Sequence, residues 1–405
     1  MNTDRIVAVR ASIAPRPERR QVLDQEEYSE EVFNWSRQKV ANPMTKYPEF
    51  QDDRGAGMGF DTDRTVVVEV ETESGRIGVA TTNGGIVAAS IIELHLAAQV
   101  EGESPFAHER IWDRMYLSTL PFGRKGVVLH AISGVDLAIW DLHGRIAAEP
   151  VWSLLGGRAH ASVEVYGTGP SPARIQELGL HGAKLPLTWG PSEGAEGLRR
   201  NVERARLARE AVGEGFPLYY DCWMALDVDY AARLAWAIEP YGFGWLEEPL
   251  LPDDYSGHAE LRRRMPPTMM LNTGEHEYTT AGHRLLCESG VDVIQPDPNW
   301  CGGLTELRRI AAVATAFGKR LIPHVGGQYS YHFLTAFPHT FLGEFGVMQG
   351  AGDRILPQHA PLLTGESLPV DGRIVVTDAP GFGLDLDPAV RLRRPVTRET
   401  LAELG

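Results

Sequence analysis

The chain has 405 residues, 43% of them apolar and 23% charged, with a net charge of −15 and a pI near 5.4. That balance suits a globular protein of two to three domains and argues against nucleic acid or an anionic membrane as a partner. No apolar run reaches the roughly 18 residues of a membrane span. The opening MNTDRIVAVRASIAPRPERR lacks a signal peptide's apolar core, and Cys222, Cys287 and Cys301 lack zinc-ribbon spacing, so reduced thiols in a cytoplasmic protein are expected.

RIVAVRASI (Arg5 to Ile13) and RTVVVEVET (Arg64 to Thr72) read as strands rich in β-branched residues, and GRIGVATT follows closely enough to close a hairpin. Between the first two strands, Ala14 to Asp63 is too long for idle linkage in a compact domain, and its Phe33, Trp35, Tyr47 and Phe50 point to a segment that packs. Three helical patterns follow: IVAASIIELHLAAQV, HERIWDRMYLST and VVLHAISGVDLAIWDLHGRIAA. The last is stopped by Pro150 and by Gly156 with Gly157. Strands followed by helices, without alternation, predict an α+β capping domain over residues 1–158.

From Ser162 the grammar becomes strand, loop, helix. Eight strands between Ser162 and Phe345 predict a modified (β/α) TIM-type barrel over residues 159–357. A doubly wound sheet would need a glycine-rich dinucleotide turn after its first strand, and GTGPSP departs from that pattern. The remainder, residues 358–405, reads as a turn-rich tail that returns to pack on the cap.

Ionisable residues end successive barrel strands. LYYD ends at Asp221, GWLEEP holds Glu247 and Glu248, MMLNTGEHE holds Glu275, VDVIQPD ends at Asp297 and RLIPH at His324. Strand ends converge on one mouth of such a barrel, where its active sites lie. Three carboxylates brought together there would repel and raise one another's pKa, and a hard divalent cation such as Mg²⁺ removes that cost. Asp297 beside His324 would fix the imidazole's tautomer and make it a stronger base. Metal and base together suit removal of a proton α to a carboxylate.

This series resembles the enolase superfamily and its mandelate racemase subgroup, whose members pair a Lys or His base with Mg²⁺. DCWMALDVDY, WLEEPLLPDDY, TGEHEYT, QPDPNWCGGLTEL and PHVGGQYSYH, with NPMTKY, VVVEVE and GAKLPLTWGP nearer the start, look like the L-rhamnonate dehydratase family over nearly the whole chain. The resemblance implies an enolase-like fold and Mg²⁺ bound by Asp221, Glu247 and Glu275, with Glu248 in support. It implies that Asp297 orients His324, which takes the C2 proton of an aldonic acid. Loss of the 3-hydroxyl then gives a 2-keto-3-deoxy acid. If His324 also protonates that hydroxyl, proton and hydroxyl must leave from the same face.

Arg54, Lys184, His276 and Glu344 fall where substrate contacts are implied. Asn34, beside Trp35, stands where the family carries a substrate-facing His, which leaves the particular sugar acid open. The alternatives are a hydroxy-acid epimerase or racemase, and a paralogue that binds metal or ligand without turnover. Pro186, in place of the second lysine of a Lys-x-Lys pair, weighs against the first, because racemisation needs groups on both faces of the α-carbon. Retention of both His324 and Asp297 weighs against the second. A small-molecule substrate and a homo-oligomer complete the expectation.

Overall fold

The computed structural model describes residues 4–13, 40–51, 65–340, 342–347 and 354–402. Asn34 and Arg54, with most of the long segment between the first two strands, lie outside the described residues.

The cap opens with an antiparallel sheet of β1 (Ile6–Ile13), β2 (Val66–Thr72) and β3 (Ile77–Thr82) in sequence order. Val66, Val68 and Val70 of β2 are fully buried, as a central strand covered on its faces requires. Gly75, at φ +78°, makes the left-handed turn between β2 and β3. Helix α1 (Gly85–Ile91) continues through a π-helical turn (Ile92–Leu96) into Ala97–Val100, followed by α2 (His108–Thr119) and α3 (Val127–Ala147). Helix α3 is apolar almost all round because it is covered on opposite sides. It lies so close to the sheet that a Cβ on Gly78 would overlap the Ala138 carbonyl oxygen.

Alternation follows as predicted, through β4 (Val163–Thr168), α4 (Pro172–Glu177), β5 (Ala183–Pro186), α5 (Gly194–Val212), β6 (Leu218–Asp221), α6 (Val228–Ile238), β7 (Phe243–Glu247) and α7 (Tyr255–Arg264). It continues through β8 (Met270–Thr273), α8 (Thr279–Glu288), β9 (Val293–Ile294), α9 (Gly303–Ala316), β10 (Arg320–Leu321), α10 (Gly327–Ala336) and β11 (Leu342–Gly346). The eight strands are parallel and pair in the order β10-β9-β8-β7-β6-β5-β4-β11. Among the described residues no ladder joins β10 to β11. The Val325 N–H, just beyond β10, instead donates to the Glu344 carboxylate of β11 at 3.2 Å.

Strand alternation explains how the barrel carries its chemistry. Tyr219 and Trp245 point inward and stack at 3.4 Å between centroids, with Tyr166 edge-on to both. Two residues further along β6 and β7, the same inward face presents Asp221 and Glu247. The ladder sets Pro186, Asp221, Glu247 and Asn272 level across four strands.

After the barrel, β12 (Leu363–Thr364) and β14 (Asp385–Leu386) pair antiparallel, and β13 (Arg373–Ile374) lies antiparallel on β4. The tail then returns to the cap as expected. Ile13 and Arg393 exchange backbone hydrogen bonds of 2.9 and 3.0 Å, Arg394 pairs with Glu93 at 2.7 Å, and the Phe382 N–H donates to Asp141 of α3 at 2.9 Å.

Candidate active site

Lys184, in β5, sits at the centre of one cluster. It is wholly buried, with Nζ hydrogen-bonded to Glu247 Oε1, 2.9 Å from Glu344 Oε1 and 3.6 Å from Asp221 Oδ2. Burial opposes its charge, but the three carboxylates outweigh burial and raise its pKa well above the ordinary value. Glu247 also accepts from Trp245 Nε1 and Asn272 Nδ2, both at 3.1 Å. Glu344 accepts from Thr168 Oγ1 and, at 3.0 Å, from the Tyr166 hydroxyl. Burial works to raise the Glu344 pKa, yet Lys184 and His324 hold it down at about 2.

Across the mouth, His324 Nδ1 is 2.8 Å from Asp297 Oδ2, and Asp297 Oδ1 accepts from the Asn299 backbone N–H at 2.6 Å and side-chain amide at 3.1 Å. Burial disfavours the imidazolium, but Glu275, Glu344 and Asp297 outweigh it and push the pKa up to about 10. His324 Nε2 lies 3.4 Å from Glu275 Oε2, within reach of charge attraction but without the alignment of a hydrogen bond. A second imidazole mirrors the first. His276 Nδ1 is 2.8 Å from Glu248 Oε2, and Glu248, with Glu275, raises the His276 pKa to about 9 against the effect of burial. Glu248 makes this bond from a left-handed backbone at φ +42°, a strained conformation of the kind that clusters at functional sites.

The structure thus gathers Asp221, Glu247, Lys184 and Glu344 into one cluster, and Glu275, His276, Asp297 and His324 into its neighbour. Among the described residues, Glu248, Glu275 and His276 form a convergence of donor atoms, mutually within 4.8 Å. It shares only Glu275 with the three carboxylates singled out from the sequence, because the Lys184 ammonium gathers Asp221 and Glu247. The donor set still fits a hard divalent cation. Burial raises the pKa of Asp221, of Glu247 and of Glu275, the last to about 8, and Glu275 Oε2 is buried without a hydrogen-bond partner. A cation would give Glu275 Oε2 the partner it lacks and lower the cost of burying these carboxylates together.

Asn299, Asn272, Trp245, Trp300 and Thr168 hold this chemistry in place and were not singled out in the sequence. Trp245 and Asn272 had a usable signal, since both occupy inward positions of strands that carry a carboxylate. Trp300 had none, because nothing local distinguishes it from a loop residue. A cavity of roughly 240 Å³ opens beside the dyad, lined among others by Asp297, Trp300 and His324 of the barrel, Thr82 and Asn83 of the cap and His359 of the tail.

Residues 172–390 match the family described as enolase C-terminal domain-like, and residues 54–156 match the mandelate racemase / muconate lactonizing enzyme N-terminal domain. The L-rhamnonate dehydratase of Saccharopolyspora erythraea is 51% identical over 363 residues, which is 89% of this chain and 93% of that protein. The crystal structure of a rhamnonate dehydratase from Gibberella zeae complexed with Mg has a TM-score of 0.89 at 36% identity, covering 96% of this chain and 95% of the other. The 3,6-anhydro-D-galactonate cycloisomerase of Zobellia galactanivorans has a TM-score of 0.72 at 27% identity, covering 80% and 92%.

With a cap over a parallel barrel and carboxylates and an Asp-His pair at its mouth, the chain belongs to the enolase superfamily, in its mandelate racemase / muconate lactonizing enzyme branch. Magnesium is the cofactor of that family. Within the branch the chain is a hydro-lyase, an acid-sugar dehydratase similar over most of its length to L-rhamnonate dehydratase. Among the described residues no helix is long and apolar enough to cross a membrane.

Proposed function

We propose that the substrate is L-rhamnonate or an aldonic acid of related configuration, converted to the 2-keto-3-deoxy acid by loss of water across C2 and C3. The observation that carries this reading is the 2.8 Å bond from His324 to Asp297 at the edge of a buried carboxylate cluster. Asp297 accepts from Nδ1–H, so Nε2 is the atom that would take the C2 proton, once a cation held by Glu275 offsets the negative charge that raises the His324 pKa. The C3–O bond then breaks, the departing hydroxyl gains a proton to leave as water, and the resulting enol tautomerises to the ketone. His324 can return that proton when both groups leave from one face.

Asp221, Glu247 and Glu275 would hold Mg²⁺, which supplies positive charge against the charge that develops on the substrate carboxylate. Glu248 backs this set through His276. Lys184 and Glu344 align one side of the site, while His276, Arg54 and Asn34 contact substrate. Epimerisation is disfavoured by Pro186, and Lys184 is already engaged by three carboxylates. Residues 1–158, 159–357 and 358–405 form cap, barrel and returning tail. The buried, unpaired Cys222, Cys287 and Cys301 support a cytoplasmic location. A homo-oligomer completes the proposal.

The test is a screen of C5 and C6 sugar acids with the Mg²⁺-loaded enzyme, scoring 2-keto product. Product from L-rhamnonate or a near stereoisomer is expected. No product from any acid would favour the non-catalytic paralogue, and an epimer recovered in place of a keto acid would favour the epimerase.

A further inference from the structure

Trp300 stands one turn beyond Asp297, its backbone N–H donating to the Asp297 carbonyl at 2.9 Å. Its ring centroid lies 5.1 Å from His324 and 5.3 Å from His276, tilted 41° to each. The cap grips the same indole. His130 of α3 stacks on it at 5.5 Å and 13°, and Trp300 Nε1–H donates to Asn83 Oδ1, in the turn between β3 and α1, at 3.0 Å. Thr82 Oγ1 adds a cap contact at 2.9 Å to the carbonyl of neighbouring Asn299.

The torsion that sets an imidazole's plane is broad and weakly restrained by itself, so a ring tied at one nitrogen can still swing. Asp297 ties His324 at Nδ1, and Glu248 ties His276 at Nδ1. A flat indole packed against both rings removes the remaining freedom. We propose that Trp300 is a positioning residue, held by Asn83 and His130 of the cap, that sets the ring planes of His324 and His276 and makes proton abstraction depend on the cap's docking onto the barrel. The kinetic part of this proposal rests on the dehydratase reading, but the geometry can be probed without turnover.

The test uses the full-length, Mg²⁺-loaded protein with Trp300→Ala, Trp300→Phe, Asn83→Ala and the Trp300→Phe/Asn83→Ala double variant. Two quantities are measured: kcat and KM on whichever acid the parent dehydrates, and the rate at which diethyl pyrocarbonate modifies His324, read by mass spectrometry of its peptide. Trp300→Ala should lower kcat by about tenfold to a hundredfold with KM changed less than about threefold, since misplacing a reacting group by an ångström costs on that order. His324 in Trp300→Ala should be modified several-fold faster.

Trp300→Phe keeps a flat ring but loses the Nε1–H, so it should match Asn83→Ala in a few-fold loss of kcat. The double variant should be no worse than either single one, because both remove one hydrogen bond. A raised KM at unchanged kcat, multiplied losses in the double variant, or unchanged His324 reactivity in Trp300→Ala would each overturn the proposal. A parent that dehydrates no sugar acid would sink the dehydratase reading alone, because the reactivity comparison still decides the role of Trp300.

Discussion

Lys184→Met offers a quantitative test of the buried cluster. The substitution keeps an unbranched side chain, one atom shorter, and removes its charge. At separations of 2.9 Å to Glu344 and 3.6 Å to Asp221, each attraction is worth about 5 kcal/mol gross at an effective dielectric near 20. Most of that is offset by the desolvation of Lys184, which is fully buried. What remains after deletion is a set of carboxylates stripped of their counter-charge, for which about 3–5 kcal/mol of lost stability is the usual scale. With an unfolding entropy of about 2.1 cal/mol/K per residue over 405 residues, that loss corresponds to a fall of about 4–6 °C in Tm.

The assay is calorimetry at pH 7 in chelator and again in saturating Mg²⁺. The deficit should shrink by at least half with the ion, because a divalent cation held by Asp221 and Glu247 replaces the missing ammonium. An unchanged Tm in chelator would refute the ion-paired cluster. A deficit that Mg²⁺ does not reduce would refute the assignment of Asp221 and Glu247 to the metal.

Three further outcomes are expected. Excess chelator should abolish keto-acid formation and Mg²⁺ restore it, so full activity in chelator would remove the metal from the reaction. His324→Asn should fold, bind Mg²⁺ and lose at least about a thousandfold in rate together with C2 exchange in D₂O; persistent exchange would identify another base. Acid should destabilise the fold through buried neutral histidines. His332 is held at about pKa 3 by burial, with Nδ1 accepting from the Trp152 N–H at 3.2 Å and Nε2 donating to the Phe382 carbonyl at 3.1 Å. Its folded pKa lies below the unfolded value near 6.5, so its contribution is complete above pH 6.5 and is lost as pH falls toward 3. At pH 5 the loss is about 2 kcal/mol. His332→Gln should therefore start less stable at pH 7 but show a flatter Tm between pH 7 and 5, and an equally steep fall would assign acid sensitivity elsewhere.

Much of the architecture was legible because periodicity reports burial directly. The switch from blocks of strands and helices to alternation locates the barrel, and a carboxylate or imidazole after each apolar run locates its mouth. Legibility stopped where contacts are distant in sequence. Glu344 is held by Lys184 and Tyr166, and no local pattern announces such partners. The choice between Glu247 and Glu248 as the donor nearest Glu275 depends on a left-handed backbone at Glu248, and adjacency in sequence cannot express it. Strands β9 and β10 are two residues each, too short to signal a ladder by alternation. Trp300 gains its meaning from Asn83, 217 positions away.

The bonds between Ile13 and Arg393 bear on synthesis as well as on the folded molecule. They make the barrel an insertion within a domain whose first strand is clasped by the chain's last segment. On the ribosome, the barrel can emerge and assemble well before Arg393 leaves the exit tunnel, while β1 waits with its edge exposed. The bond between β1 and the tail cannot form before Arg393 is made, and a nascent chain stalled short of Arg393 should display a protease-sensitive cap on an already resistant barrel.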